Sequence, residues 1–248
     1  MIIYGRNPVK ELLSQPDSGI EEILMLKDGR KEGSSEIFDL AKERGIRVIF
    51  LPKDAISRIS GTTSHQGVAA RIADFEYSSL ENIFSLAESS GERLLIVILD
   101  HIEDPQNLGA IIRTVDVLGA HGVVIPKDRA ASVTPAVVKA SAGAVNHVLI
   151  ARVVNLSATI GVLKKKGVWI VGADPQAPMP VYGEDLGKVN IGLVIGSEGR
   201  GLGQKIKEQC DFLVTIPQAG KVASLNASVS AGILIYEIMR QRGSLKSL

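Results

Sequence analysis

Residues Leu94-Leu95-Ile96-Val97-Ile98-Leu99 form an unbroken run of apolar side chains that ends at Asp100. A strand with one wet face alternates polar and apolar residues. A continuous run has to be covered on both faces, which is the situation of a strand inside a parallel sheet. Similar runs return at 122–125, 148–151, 168–172, 191–195 and 212–216. Stretches with helical spacing fall between them at 108–118, 135–142, 156–166 and 202–209, and a long one follows at 224–240. This alternation predicts a doubly wound α/β sheet. Such sheets bind ligands beyond the carboxyl ends of their strands.

The chain before this region has a different grain. Helices are expected at 8–13, 36–44 and 54–59, and strands at 20–26, 48–51 and 68–72, with short connections. Residues 1–74 therefore read as a small layered α/β domain, and 94–248 as the larger one. The stretch 75–93 is rich in serine and reads as a linker carrying one helix over 80–87. At 248 residues the chain is long enough for two such cores. Its net charge of +1 means that any contact with nucleic acid falls to local basic patches. Cys210 is the single cysteine, which excludes an internal disulfide and a thiolate metal cluster. His65, His101, His121 and His147 lack metal-ligand spacing, so no metal is expected. No signal peptide opens the sequence, and no uncharged apolar run approaches the ~20 residues of a membrane span. The expected location is the cytoplasm.

Three strand-to-loop junctions in the larger domain carry more polar chemistry than turns need. The first is "DHIEDPQNLGAIIR", residues 100–113, entering a helix for which Asn107 is a good N-cap. Leu108, Ile111, Ile112, Val115 and Leu118 make one apolar stripe, and Arg113 points roughly 160° away from it. Its neighbours there, Gly109, Ala110 and Val117, are small or apolar, which suggests a partly enclosed guanidinium. A surface arginine on a capped helix explains the same pattern. The second junction, "IGSEGRGL" over 195–202, is a glycine-rich loop with the carboxylate of Glu198 at its tip. It has neither the dinucleotide fingerprint nor the phosphate-loop ending, so a loop shaped for close ligand approach and a plain tight turn both remain. The third, "IPQAGKVASLNAS" over 216–228, leaves a strand through Pro217 and enters a helix that Ser224 can cap. Ala223, Ser224, Ala227, Ser228, Ser230, Ala231 and Gly232 make that helix start unusually small. Either another helix or a ligand packs there.

Together "DPQNLGAIIRT", "IGSEGRGL" and "IPQAGKVASLNASVSAGILIYE" resemble the three ordered motifs of the SpoU family of RNA ribose 2′-O-methyltransferases. "YGRNPVKELL" at 4–13 and "HQGVAA" at 65–70 look like the members that methylate a guanosine of large-subunit ribosomal RNA. Gln218, Ala227 and Ser230 depart slightly from the residues common in the family at those places. The resemblance implies a deep C-terminal trefoil knot, S-adenosylmethionine as methyl donor, and a homodimer with its active site near the subunit contact. It also implies a ribosomal-protein-like RNA-binding first domain. By motif position, Gly196, Ser197, Ile216, Pro217 and Leu225 would hold the donor. Asn107, Arg113, Glu198, Ser224 and Asn226 would form the catalytic site. Arg6, Asn7, His65 and Arg71 are the expected RNA contacts of the first domain.

A guanidinium has a pKa above ~12, so Arg113 is expected to bind a phosphate and stabilise a developing alkoxide rather than to act as base. Glu198 would orient Arg113 or Asn107, or take the proton itself. Lys164, Lys165 and Lys166 close a helix, where cations suit the dipole; RNA contact is the second reading of the same residues. The rival functions are a transfer-RNA methyltransferase of the same family, a non-catalytic RNA-binding relative, and a dehydrogenase-like nucleotide binder. The missing dinucleotide fingerprint counts against the last.

Overall fold

The computed structural model describes residues 1–14, 19–27, 34–183, 185–221 and 224–245, and the chain divides into two compact units, Met1–Glu76 and Tyr77–Leu248. In the first unit the order is β1 (Ile2–Tyr4), α1 (Arg6–Leu13), β2 (Ile20–Leu26), α2 (Ser34–Glu43), β3 (Arg47–Leu51), α3 (Lys53–Ser60) and β4 (Val68–Ile72). The sheet order is β1-β4-β2-β3, antiparallel except for β2 with β3. Its side chains alternate faces, so Ile23, Met25, Val68 and Ala70 pack with Val9 of α1 and Ile37 of α2. Leu24 and Ala69 point the other way, onto Ile56 of α3. β1 was not expected: with only Ile2, Ile3 and Tyr4 it is too short for a periodic signal, and pairing with β4 makes it a strand.

The second unit contains α4 (Leu80–Ser90), β5 (Leu95–Asp100), α5 (Pro105–Leu118), β6 (Gly122–Pro126), α6 (Pro135–Ala140), β7 (Leu149–Val153) and α7 (Leu156–Lys165). Then come β8 (Trp169–Ala173), β9 (Met179–Pro180), β10 (Ile191–Gly196), α8 (Gln204–Lys207), β11 (Phe212–Thr215) and α9 (Ala227–Arg242). Its sheet order is β7-β6-β5-β10-β8-β11-β9, parallel throughout. Every residue of β5 is buried, as an unbroken apolar strand requires. The chain winds outward from β5 to β7, returns to β8, and later lays β10 between β8 and β5. The crevice beyond β5 and β10 is thus a switch point of the sheet, where ligand loops gather.

Several expected boundaries move for identifiable reasons. From Tyr77 on, the stretch read as a linker belongs to the second unit, and α4 puts Ile83 and Ala87 into the core with Ile96 and Ile160. Asp104, not Asn107, caps α5: its side chain accepts from the Gln106 amide and Pro105 takes the first helical position. Asn226, not Ser224, caps α9, accepting from the amides of Ser228 and Val229. The helix expected over 202–209 shrinks to α8, where Gly203 donates its amide to the buried carboxylate of Asp100 at 2.7 Å.

The amino edge of the sheet is tied by two groups that periodicity does not reveal. Arg242, at the end of α9, donates to the carbonyls of Arg93, Leu94 and Val189, which lead into β5 and β10. Burial lowers its guanidinium to about 10, with Glu92 acting in the opposite sense. His121 is buried and its Nδ1 accepts from the Leu95 amide. Burial holds this imidazole below its ordinary 6.5; Glu92 opposes that shift and Arg242 adds to it. Because the folded value lies below the unfolded one, the unfolded chain takes up the proton first. Stability is then intact above pH 6.5 and is lost as pH falls through the folded value. Urea midpoints measured from about pH 7.5 down to about pH 5 should therefore decline less in His121→Gln than in the wild type.

Candidate active site

Because all strands of the second sheet are parallel, the loops after β5, β8, β10 and β11 open at one edge. Three of them meet at a single carboxylate. Glu198 Oε1 accepts from Asn107 Nδ2 at 2.9 Å, from Asn226 Nδ2 at 2.5 Å and from the Ala227 amide at 3.4 Å. Asn226 also donates to Asn107 Oδ1 at 2.9 Å, which closes the triangle. Local structure sets each corner. Asn107 sits in the first turn of α5, Asn226 is the cap of α9, and Glu198 stands in a loop bridged from Ser197 to Gly201. The carboxylate therefore lies at a helix N-terminus, where backbone N–H groups and the helix dipole favour negative charge.

Two cavities share the wall formed by Ser197, Glu198, Gly199 and Arg200. The larger, about 550 Å³, lies between the loops after β8, β10 and β11. Gly196, Ser197, Ile216, Leu225 and Ser224 line it; Pro217 is in the same loop but not on the wall. Its wall combines apolar side chains, Ile195, Leu202, Val214 and Leu234, with a larger polar share that includes Asp174 and Lys207. Partial burial alone would raise the Asp174 carboxyl, but a hydrogen bond from Lys207, the Gln176 amide and the ammonium charge hold it below the usual carboxylate range. Size and lining suit a ligand that combines polar groups with apolar parts. The smaller cavity, about 330 Å³, is bounded by His101, Glu103, Asp104 and Asn107 on its other side.

The glycine signal has two origins. A Cβ at Gly196 would fall onto the Gly201 carbonyl and within 2.6 Å of the Leu202 nitrogen, so that glycine serves the closure of its own loop. Gly201 holds φ +63°, whereas Gly199 has open space around it. Gly109 is required by α6: an added Cβ would meet the Ala140 side chain and the Ser141 nitrogen at 2.9 Å. Packing against α6 accounts for Gly109 near Arg113, and the enclosed guanidinium expected there is not found. Arg113 is exposed, lies about 9 Å along α5 from Asn107, and has no hydrogen-bond partner among the described residues. The structure thus gathers Asn107, Glu198 and Asn226, places Ser224 at the larger cavity, and leaves Arg113 outside both.

In the first unit, Arg6 and Asn7 line a cavity of about 630 Å³ together with Lys53, Thr63 and Gln66. His65 borders it but is 1 % exposed, with both ring nitrogens engaged: Nδ1 accepts from the Gly67 amide and Nε2 faces Ser57 Oγ, each at 3.0 Å. It braces the loop that holds Gln66, whose Oε1 accepts from the Arg6 amide. Arg71 lies at the other end of β4 and is ion-paired with Glu22 at 2.8 Å. Lys164 is likewise occupied by Asp211 and the Gln209 carbonyl. Burial pushes the Cys210 thiol up to about 11, consistent with a packed, unreactive side chain. Among the described residues no group of three His, Cys, Asp or Glu converges to hold a metal. No helix among them is long and apolar enough to cross a membrane.

The sequence reading missed Asp100 as a site residue. It is 3 % exposed at the end of an apolar strand and uses both carboxylate oxygens, one on the Gly203 amide and one on His101 Nδ1. A charge closing a wholly apolar run was the available signal.

The SpoU rRNA methylase family profile matches residues 94–236, and the profile for RNA 2′-O ribose methyltransferase substrate binding matches residues 2–78. YacO of Bacillus subtilis (strain 168), assigned by name to the TrmH family of tRNA/rRNA methyltransferases, is 44 % identical over 97 % of this chain and 95 % of its own. Among solved structures, the SpoU methyltransferase AviRb from Streptomyces viridochromogenes in complex with AdoMet is 26 % identical with a TM-score of 0.64, covering 98 % of this chain and 91 % of that one. An AdoMet-bound rRNA methyltransferase from Sinorhizobium meliloti is also 26 % identical, TM-score 0.60, over 96 % and 86 %. The chain belongs to the SpoU family of RNA methyltransferases. It is an enzyme that takes its methyl group from S-adenosylmethionine, and its first unit is the family's substrate-binding domain.

Asn226→Ala removes a helix cap and two sides of the triangle at once. Urea denaturation should register a loss of about 1–2 kcal/mol. Calorimetric titration with S-adenosylmethionine should show weakened binding, because the loops that wall the larger cavity are no longer tied.

Proposed function

We propose that the chain methylates the ribose 2′-hydroxyl of a guanosine in the peptidyl-transferase region of 23S ribosomal RNA, in the cytoplasm and as a homodimer. The ribosomal target is carried by coverage. The S. meliloti rRNA methyltransferase aligns over 96 % of the chain, first unit included. A protein from a structural study of 2-OH methylation of C/U34 on tRNA covers 60 % of the chain, and the Aquifex aeolicus TrmH/SpoU tRNA modifying enzyme covers 66 %. Transfer-RNA modification remains the second reading because of those two. The guanosine rests on the resemblance of residues 4–13 and 65–70. In the first unit, the cavity with Arg6, Asn7 and Lys53 is the RNA face. His65 shapes that cavity from behind, and Arg71 is not part of it.

A trefoil knot in the second unit is supported by β10 lying between β5 and β8, and by α9 turning back onto α5 after β11. The dimer is supported by exposed apolar residues on two helices that pack together, Val229, Ile233 and Tyr236 on α9 and Val117, 72 % exposed, on α5. Apolar surface of this kind on a soluble enzyme marks a contact surface.

The larger cavity is the donor site, with Gly196, Ser197, Ile216 and Leu225 as its walls and Pro217 fixing the loop. S-adenosylmethionine supplies an electrophilic methyl group on a sulfonium. This chain's residues must align the ribose oxygen and let its proton leave, and alignment alone is worth up to ~7–11 kcal/mol in favourable cases. Glu198 holds Asn107 and Asn226 in place; with three donors on one oxygen it acts as a brace. Ser224 faces the donor cavity as a hydrogen-bonding group. Arg113 binds the phosphate beside the target in a two-pronged contact and stabilises charge developing on the ribose oxygen.

Purified protein, methyl-labelled S-adenosylmethionine, and fragments of 23S RNA or bulk tRNA provide the test, with the modified position read by ribose-methylation mapping. A single guanosine in the 23S fragments is expected; label on tRNA alone overturns the ribosomal assignment. Arg113→Ala and Arg113→Lys should each reduce kcat/KM by about 100-fold while the affinity for S-adenosylmethionine is unchanged.

A further inference from the structure

His101 stands directly after β5 with φ +60°, a left-handed conformation that costs a non-glycine residue of order 1 kcal/mol. Its side chain is fixed despite that. Nδ1 lies 2.6 Å from Asp100 Oδ1, and Asp100 is itself buried and anchored by the Gly203 amide. Because a carboxylate oxygen accepts, the neutral form of this imidazole has its proton on Nδ1 and a bare lone pair on Nε2. That nitrogen has no partner among the described residues, the side chain is 29 % exposed, and it lines the smaller cavity with Asn107, Glu198 and Arg200. The cavity adjoins the donor site through the shared 197–200 wall. A buried carboxylate, a strained backbone and an outward-facing imidazole together form a preset hydrogen-bond acceptor at the place where the acceptor nucleotide has to lie.

We propose that His101 is a specificity-determining contact, accepting on Nε2 a hydrogen bond from an N–H or O–H of the nucleotide that bears the target ribose. The inference rests on the reading of this edge of the sheet as a ribose-methylating site. The variant His101→Gly removes the imidazole at a φ of +60° that glycine adopts without strain, and Asp100 keeps its bond from the Gly203 amide. With the 23S fragment as substrate, KM for RNA should rise about tenfold, the upper end of what one hydrogen bond supplies, with kcat within about twofold and unchanged affinity for S-adenosylmethionine. His101→Gln, whose amide oxygen reaches the Nε2 position, should recover at least about threefold of that loss. An unchanged KM overturns the proposal, and so does a fall in kcat alone, which would make His101 a proton acceptor. Weakened S-adenosylmethionine binding overturns it too, since His101 would then only shape the loop. A wild-type protein that methylates no ribose at all sinks the functional reading and the role of His101 with it.

Discussion

The second unit depends on one carboxylate. Glu198 is bonded to residues from two other loops, so a single oxygen fixes the entry of α5, the glycine loop and the entry of α9 relative to one another. These segments are far apart in sequence, and ordering each of them separately would cost on the order of 1–2 kcal/mol per residue in backbone entropy. The triangle spends no core volume and leaves the loops' outer faces to form cavity walls. A carboxamide at 198 would keep an acceptor oxygen for the three donors but lose the negative charge that the entry of α9 favours. Rigidity at the edge of the sheet is therefore an electrostatic property, while the sheet beneath it is held by apolar burial.

That division explains which parts were legible beforehand. The strands of the second unit announce themselves because burial on both faces demands unbroken apolar runs, as at Leu95–Asp100 and Ile191–Gly196. Residues 104–107 and 224–226 each offer more than one good cap, and local propensity does not choose between them. In the fold Asp104 takes the cap, with Pro105 after it, and Asn107, one turn in, meets Glu198. The small residues of α5 were legible as a close approach but not as to what approaches. Gly109 meets the backbone of α6, a contact between elements whose pairing no local pattern records. His65 shows the same ambiguity in the first unit, where a polar residue beside an RNA-like motif proved to be a bolt inside the loop.

The identity of the site came by another route. Motifs in order gave the family before any geometry, and the geometry then reassigned individual members. Ser224 lost the cap and kept the cavity; Gly196 lines the same cavity and also serves the closure of its own loop. Asp100 entered without having been sought, because a buried charge is visible only once its surroundings are known.

In the role proposed for it, Arg113 is the residue that a single chain leaves least supported. A guanidinium facing open water is screened, and its stabilisation of a developing negative charge is correspondingly weak. The same outward side of α5 carries Val117, and neighbouring α9 carries Val229, Ile233 and Tyr236, so charge and apolar surface are exposed side by side. Covering that apolar surface with a second copy, as proposed, would exclude water from the flank of Arg113 and lower the local dielectric around it. The arginine's contribution would then appear only in the assembled enzyme with RNA in place. Its isolation in one chain and its proposed importance in the reaction are thereby two consequences of the same unpartnered face.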